Sequence, residues 1–236
     1  MSNIRLFFPE SLSLKLSSKL DKSQSHYINK VMRIKANETF SLFNNSGEWE
    51  AKINGIAKGI VEFTVTKHLR LQENSKEIWL AFSPIKSNYF NFMIQKSTEL
   101  GITKFLPIIF DRTIVRKINN HRLEKVIIEA AEQSNRINIP KIEKPQNLKS
   151  FLSKNNNKMN LIFTDLNSKN KKIDINKLIN KPICIIIGPE GDFSEAEREE
   201  IFSYEGVNSI KINENILRSE TAAISAISVV TYFTNL

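Results

Sequence analysis

An uninterrupted apolar run followed at once by a glycine-rich turn is the feature that most restricts the fold of this chain. Ile183–Ile187 holds five apolar residues, four of them β-branched, which is typical of a strand buried on both faces, as in a parallel sheet. Residues 188–191, Gly-Pro-Glu-Gly, predict a tight loop. Ser194 and Glu197 have the spacing of a capping box at a helix start. The segment therefore predicts strand, loop and helix in direct succession.

The charges of this loop restrict its ligand. In open α/β sheets, ligands bind at the carboxyl ends of strands, beside free N–H groups and helix starts. This loop contains Glu190 and Asp192, and four more glutamates follow it closely, whereas a phosphate-binding loop would contain a lysine. Like charges repel, so the pattern favours a neutral or cationic ligand such as a sulfonium. A capped, solvated helix start would explain most of these carboxylates without any ligand.

A second polar motif lies downstream. Residues 216–222, Ile-Leu-Arg-Ser-Glu-Thr-Ala, place Arg218 and Glu220 beside a predicted helix start, directly after a strand-like run at residues 209–212. The two motifs together favour a ligand site over a plain turn.

Composition excludes several classes of protein. The 236 residues are 41% hydrophobic and 25% charged, as in ordinary soluble domains, and no apolar run approaches the roughly 20 residues that span a bilayer. The first residues lack the pattern of a signal peptide. We therefore expect a cytoplasmic protein that is not bound to a membrane.

Cysteine and histidine usage indicates no metal site. The single cysteine, Cys184, lies in the apolar run, which predicts a buried packing thiol. The three histidines, His26, His68 and His121, are far apart and lack partners at metal-ligand spacing.

Net charge is +9, and residues 1–70 carry +5 of it. A basic N-terminal segment is expected if it docks on a phosphate backbone, although many lysines also simply solubilise a small domain. A second basic stretch, at residues 112–125, either guides RNA or is a solvated loop.

The pattern of predicted elements changes near residue 70. Before it, strands are predicted at residues 5–8, 39–43, 48–53 and 60–66, with a helix at 23–33, which suggests a small barrel or curled sheet. After it, strands at 78–82, 105–110 and 160–164 alternate with helices at 87–100, 121–136 and 221–233. Ser87 is the expected N-cap of the first of these helices and Gly101 its end. Such alternation is typical of an α/β domain with a parallel sheet.

These motifs resemble a known family. GPEGDFS at residues 188–194, followed by ILRSETAA at 216–223, is similar to the RsmE family of SPOUT methyltransferases, which methylate N3 of a uridine in bacterial 16S ribosomal RNA with S-adenosylmethionine. Further matching pieces are residues 5–7, 26–33, 96–101, 112 and 132–136, so the resemblance covers nearly the whole chain. The chain departs from the family at Asp192, where a glycine is frequent, and at residues 212–215, where Leu-Gly-x-Arg is usual.

The resemblance implies an α/β fold with two domains. A small PUA-like β-barrel domain for RNA binding, residues 1–70, would precede a SPOUT-type α/β knot (trefoil) methyltransferase domain, residues 74–236. The knot rests wholly on the resemblance, because no sequence pattern shows one. The family also implies a homodimer acting on 16S rRNA in the 30S subunit. The small side chains of the last helix fit either a subunit contact or ordinary internal packing.

The resemblance also assigns site residues. Those expected to bind the cofactor are Thr164, Ile187, Gly188, Pro189, Glu190, Gly191, Ile212, Ile216 and Leu217. Those expected to contact RNA are Arg5, His26, Lys30, Arg33, Arg112, Arg116 and Arg136. For His26, a plain helix-face histidine is an equal alternative.

Methylation at uracil N3 requires loss of a weakly acidic proton. Arg218 is the candidate to stabilise negative charge on a uracil oxygen. Glu220 or Glu190 is the candidate base, although either would alternatively orient Arg218 or cap a helix. Two alternatives stay open, namely methylation at another RNA position, such as a ribose 2′-hydroxyl, and a non-catalytic RNA-binding protein. A Rossmann-type enzyme is not expected because the seven glycines include no GxGxxG.

Overall fold

The computed structural model describes residues 4–72, 76–173, 178 and 181–234. The chain forms two compact units. The first comprises Met1–Asn74 with Ala131–Ile139, and the second comprises Ser75–Ala130 with Pro140–Leu236. No sequence pattern indicates that residues 131–139 belong with the N-terminal segment. The predicted domain limits, 1–70 and 74–236, remain a proposal.

The first unit is built on one five-stranded sheet. Its strands are β1 (Arg5–Phe7), β2 (Ser17–Lys19), β3 (Thr39–Asn44), β4 (Gly47–Ala57) and β5 (Ile60–Arg70). They lie in the order β1-β3-β4-β5-β2, with β1 parallel to β3 and the other pairs antiparallel. Strand β2 was not predicted because Ser-Ser-Lys has no apolar alternation.

The helical segment of this unit differs from its prediction. It consists of α1 (Lys22–His26), capped by Asp21, and a π-helical turn at Tyr27–Val31. A regular helix over residues 23–33 would place Ile28 and Val31 on one face, but Ile28 is buried and Val31 is exposed. The wider π turn changes which residues share a face, so the prediction of a regular helix through residue 33 was wrong.

The second unit is a parallel sheet, as the alternating pattern predicted. Its strands are β6 (Ile78–Phe82), β7 (Lys104–Ile109), β8 (Lys141–Ile142), β9 (Gln146–Asn147), β10 (Asn160–Thr164), β11 (Ile183–Ile187) and β12 (Val207–Ile210). The order is β12-β10-β11-β6-β7-β8, with β9 paired to β7. Every residue of β11 is buried, which confirms the prediction of a strand covered on both faces.

The helices are α2 (Ser87–Glu99), α3 (Asn120–Gln133), α4 (Leu148–Lys154), α5 (Glu195–Phe202) and α6 (Ser219–Thr234). The predicted capping box of α5 is confirmed, because Ser194 Oγ accepts from the Glu197 N–H and the Glu197 carboxylate accepts from the Ser194 N–H. The prediction that Ser87 caps α2 was wrong. Lys86 occupies that position without a side-chain cap. Within the described part of the chain, no helix is long and apolar enough to cross a membrane.

Strand order determines where loops of the second unit meet. Strands β12, β10 and β11 are parallel neighbours, so the three loops that follow their carboxyl ends lie at one edge of the sheet. This is where open parallel sheets bind ligands.

Candidate functional site

The three loops enclose a cleft of about 370 Å³. This volume lies within the range of about 300–1,000 Å³ that is usual for small-molecule sites. The lining comes from the loops after β10, β11 and β12 and from the first turn of α6. It comprises Thr164, Asp165, Leu166, Ile187, Gly188, Pro189, Glu190, Gly191, Asp192, Phe193, Lys211, Ile212, Asn213, Asn215, Ile216, Leu217, Ser219 and Ala222.

All nine residues predicted to bind the cofactor are in this lining. They come from positions as far apart as Thr164 and Leu217, and the parallel sheet brings them together. Their role as ligand contacts remains a prediction. Phe193, Lys211 and Ser219 also line the cleft, although they were not predicted to do so.

Gly188 is required by close packing beneath the cleft. A Cβ at this position would lie 2.7 Å from an edge atom of the Phe193 ring. That ring is buried and makes edge contacts with Phe110 and Phe163 at centroid distances of 5.1 and 5.0 Å. Ser219 Oγ also donates to the Gly188 carbonyl at 3.0 Å, which fixes the start of α6 against the loop.

Asp192 keeps the turn of the loop after β11. Its N–H donates to the Pro189 carbonyl at 3.0 Å, and its φ of 61° is left-handed. Aspartate is one of the few residues other than glycine that adopt this conformation with modest strain. The loop therefore makes its turn although glycine is frequent at this position in the resembling family.

The loop after β7, which does not line the cleft, holds the loop after β11. Arg112, which follows β7, donates from Nη1 to the Gly191 carbonyl at 2.7 Å. Its neighbour Asp111 accepts from Ser194 Oγ at 2.7 Å, and the Asp111 N–H donates to Glu197 at 2.7 Å. These bonds fix the glycine-rich loop at the point where α5 begins.

The loop after β12 contains a carboxylate that forms ion pairs with two lysines. Glu214 accepts from Lys211 at 2.8 Å and also from Lys171, which lies in the segment after β10. Hydrogen bonds from Lys171 and Lys211 lower the pKa of Glu214 to about 2. The segment that departs from the family pattern, residues 212–215, thus contains an exposed carboxylate that is paired with two lysines.

The lining of the cleft is largely apolar, and the charged groups in it are mostly carboxylates. Its carboxylates are Glu190, Asp192 and Asp165, and that of Asp165 is already ion-paired with Arg198. Lys211 is the one cation among the described lining residues, and its ammonium is already paired with Glu214. Such a lining attracts a cation and repels a phosphate.

The three predicted catalytic residues are placed differently. Glu190 lines the cleft and is exposed. Arg218 is exposed between two lining residues, with its guanidinium carbon 5.5 Å from the centre of the Tyr89 ring. Glu220 is only 8% exposed in the first turn of α6 and is not part of the lining. The structure thus places Glu190 in the cleft and Arg218 at its border, while Glu220 is buried in the first turn of α6.

The predicted RNA contacts of the first unit include one that is buried. His26, Lys30 and Arg33 are exposed on and after the helical segment. Arg5 is 6% exposed, and its Nε donates to Glu48 at 2.9 Å. Its Nη1 and Nη2 donate to carbonyls of residues 131, 132 and 136. The prediction of an RNA contact at Arg5 is therefore corrected, because its donors already serve the interior.

The three remaining predicted RNA contacts differ in their burial. Arg136 is half-buried, and burial lowers its pKa to about 10. Arg112 and Arg116, in the second unit, are exposed, although Arg112 also binds the Gly191 carbonyl. Arg116 keeps most of its guanidinium free for solvent, with one long contact to the Asp111 carbonyl at 3.4 Å.

The described residues form neither a metal-binding cluster nor a site with a reactive thiol. No three His, Cys, Asp or Glu side chains there are grouped so that they could hold a metal ion. Cys184 is fully buried, and burial raises the pKa of its thiol far above the ordinary value.

Comparison with known proteins adds two matches to family models. Residues 72–231 match the RNA methyltransferase domain, and residues 20–66 match the RNA methyltransferase PUA domain. Among similar proteins is the ribosomal RNA small subunit methyltransferase E of Rickettsia conorii, 40% identical over 205 residues, which covers 86% of this chain and 84% of that protein. The protein of the same name from Buchnera aphidicola (Schizaphis graminum) is 32% identical over 95% of this chain and 94% of its own.

Solved structures agree with these matches. The ribosomal RNA small subunit methyltransferase E of Neisseria gonorrhoeae, bound to S-adenosylmethionine, superimposes with a TM-score of 0.89 at 28% identity, covering 98% of both chains. A methyltransferase of Legionella pneumophila in complex with the same cofactor gives a TM-score of 0.86 at 28% identity, covering 99% of this chain and 98% of its own.

Proposed function

The chain belongs to the ribosomal RNA small subunit methyltransferase E family, and we propose that it transfers the methyl group of S-adenosylmethionine to N3 of a uridine in 16S rRNA. The observation that carries this proposal is the acidic, phosphate-excluding cleft at the ends of β10, β11 and β12, lined by every residue expected to hold the cofactor. The proposed substrate is the small ribosomal subunit or its RNA.

S-adenosylmethionine fits the chemistry of the cleft. When bound, it supplies a methyl group on a positively charged sulfonium. The carboxylates of Glu190 and Asp192 favour a cation, whereas the charge of Asp165 is balanced by Arg198. Backbone groups of residues 187–191 and 212–217 would hold the adenosine. The two loops that contain these residues lie on opposite sides of the β10 loop in the sheet order, so they would contact the ligand from two sides. No phosphate-binding lysine is needed for this ligand.

The chemical step is proposed for residues at the cleft border. Arg218 would stabilise negative charge that develops on a uracil oxygen as N3 loses its proton. The N-terminus of α6, which begins at Ser219, adds a positive dipole at the same place. Glu190 is the better-placed candidate for the proton acceptor because it faces the cleft. Glu220 is proposed to stabilise the start of α6, since a buried carboxylate in the first turn of a helix complements the helix dipole.

RNA docking is proposed for exposed cations of each unit. His26, Lys30 and Arg33 supply it in the first unit, and Arg112 and Arg116 in the second. Phosphate contacts of this kind provide affinity without reading sequence. The net charge of +9 supports a polyanionic partner.

The homodimer, the trefoil knot and a cytoplasmic location belong to the same proposal. The dimer is supported by large side chains that α2 and α6 leave exposed, namely Tyr89, Phe92 and Tyr232. Aromatic residues are enriched at subunit interfaces. The knot follows from the family resemblance and is consistent with three cleft loops converging on neighbouring strands.

Transfer of an isotope-labelled methyl group to purified 30S subunits and to free 16S rRNA, followed by nucleoside mass spectrometry, tests this function. We expect 3-methyluridine as the labelled product. A ribose-methylated nucleoside would instead support the alternative acceptor. Cofactor binding with no labelled nucleoside from either RNA would indicate that the substrate is another RNA, and failure to bind S-adenosylmethionine would support a non-catalytic RNA-binding protein.

A further inference from the structure

A buried arginine lies directly behind the cleft and is not used by the proposed reaction. Arg198 is on α5, and its side chain is 10% exposed. It forms an ion pair with Asp165, whose side chain is 3% exposed and which lines the cleft. Burial of both charges makes this pair sensitive to geometry, since each charge depends on the other for solvation.

Asp165 in turn binds one residue of its own loop and one residue of strand β12. Its carboxylate accepts from the Asn167 N–H at 2.9 Å and from Ser209 Oγ, on β12, at 3.4 Å. The guanidinium of Arg198 therefore anchors the loop after β10 and reaches the strand that precedes the third cleft loop.

The second terminal nitrogen of Arg198 is not satisfied. Nη1 is buried and has no hydrogen-bond partner among the described residues. It lies 3.9 Å from Oδ2 of Asp192, which is about 0.7 Å beyond the upper limit of about 3.2 Å for such a hydrogen bond. Asp192 lines the cleft, and its side chain is 43% exposed. A buried donor thus faces a carboxylate that is still shared with solvent.

We propose that Arg198 is a positioning residue that couples two cleft loops by holding Asp165 and Asp192 at once, and that its bond to Asp192 closes when the methyl donor is bound. This inference rests on the proposed function. A ligand in the cleft displaces water from Asp192, and loss of that water strengthens the attraction of its carboxylate for a buried cation. The planar fork of arginine can hold two carboxylates, which a single ammonium cannot do in the same way.

A purely structural Arg198 would neutralise Asp165 without any communication between loops. The two views differ in how substitutions combine. Asp192→Asn removes the charge while keeping a residue that tolerates the left-handed backbone. Arg198→Lys keeps a cation opposite Asp165 but removes the fork.

The test is a double-mutant cycle on S-adenosylmethionine affinity, measured by calorimetry on the full chain. We expect Asp192→Asn to weaken binding about tenfold in the wild-type background and less than about twofold with Arg198→Lys, a difference usual for residues in contact. Glu199→Gln, which removes an exposed carboxylate from the same helix, is the matched control for charge. Additive effects would overturn the inference, whereas a wild-type chain that binds no S-adenosylmethionine would overturn the proposed function with it.

Hydrogen exchange provides a readout that does not require the Arg198 variant to fold. In the presence of S-adenosylmethionine, Asp192→Asn should raise amide exchange in residues 165–168, on the other loop, while Glu199→Gln should not. Unchanged exchange in residues 165–168 with bound cofactor would overturn the coupling between the loops.

Discussion

Replacement of Gly188 by alanine tests how tightly the loop after β11 is packed. The added Cβ would lie 2.7 and 2.9 Å from two edge atoms of the Phe193 ring. Such distances are not tolerated, so the ring or the loop must move. The ring is wedged between Phe110 and Phe163, and we therefore expect the loop backbone to shift toward the cleft.

The magnitude follows from the cost of overpacking. Extra atoms in a well-packed core cost about 1–3 kcal/mol, and a ring fixed by two aromatic partners belongs to the upper part of that range, about 2–3 kcal/mol. For a unit of this size, the loss corresponds to a decrease of roughly 4–12 °C in unfolding temperature. Affinity for S-adenosylmethionine should fall as well, because the displaced loop narrows the cleft.

Scanning calorimetry and calorimetric titration measure the two effects. Gly55→Ala is the matched control, since a Cβ there meets no atom within 4 Å and should leave stability equal or raise it by about 0.4–1 kcal/mol. In a Phe193→Leu background, where the ring edge is absent, Gly188→Ala should cost much less than in the wild type. An unchanged unfolding temperature and affinity for Gly188→Ala would refute the packing argument.

Three further predictions concern the charges. Burial raises the pKa of Glu48, but hydrogen bonds from Arg5 and Arg70 outweigh this effect and hold the pKa below its ordinary value of 4.5. The free energy of unfolding should therefore fall as the pH drops below about 4.5, and Glu48→Gln should make this pH dependence weaker in urea unfolding. An equal pH dependence in the variant would contradict the lowered pKa of Glu48. Arg218→Ala should lower the rate of methyl transfer about 10²–10³-fold with cofactor affinity unchanged, while Arg218→Lys should retain part of the rate; full activity of the alanine variant would remove Arg218 from the mechanism. Replacing Lys30 and Arg33 together by glutamine should weaken RNA binding and reduce the salt slope of log affinity by about 2, a result that filter binding at several salt concentrations would deny if the slope stayed the same.

The loop after β11 was predictable because its sequence signals are local. The apolar run Ile183–Ile187, the turn residues after it and the capping box at Ser194 lie within 15 residues. Each acts through backbone geometry that depends little on the rest of the chain. Parallel pairing of β10, β11 and β12 then follows from the α/β pattern, and it brings Thr164 and Leu217 to one cleft.

The predictions failed where the surroundings of a residue come from parts of the chain that are far away in sequence. Arg5 is a basic residue near the N-terminus, and nothing nearby shows that Glu48 and the carbonyls of residues 131–136 surround it. The return of residues 131–139 to the first unit is equally invisible in local periodicity. The ion pair of Arg198 with Asp165 joins positions 33 residues apart, so its sequence context resembles any charged helix.

Titration of the purified full chain with S-adenosylmethionine tests the central claim most directly, namely that the cleft after β10, β11 and β12 holds the methyl donor. We predict saturable binding of one equivalent per chain, retained by Gly55→Ala and weakened by Gly188→Ala. No detectable binding, or binding that Gly188→Ala leaves unchanged while its unfolding temperature falls, would contradict the assignment of this cleft.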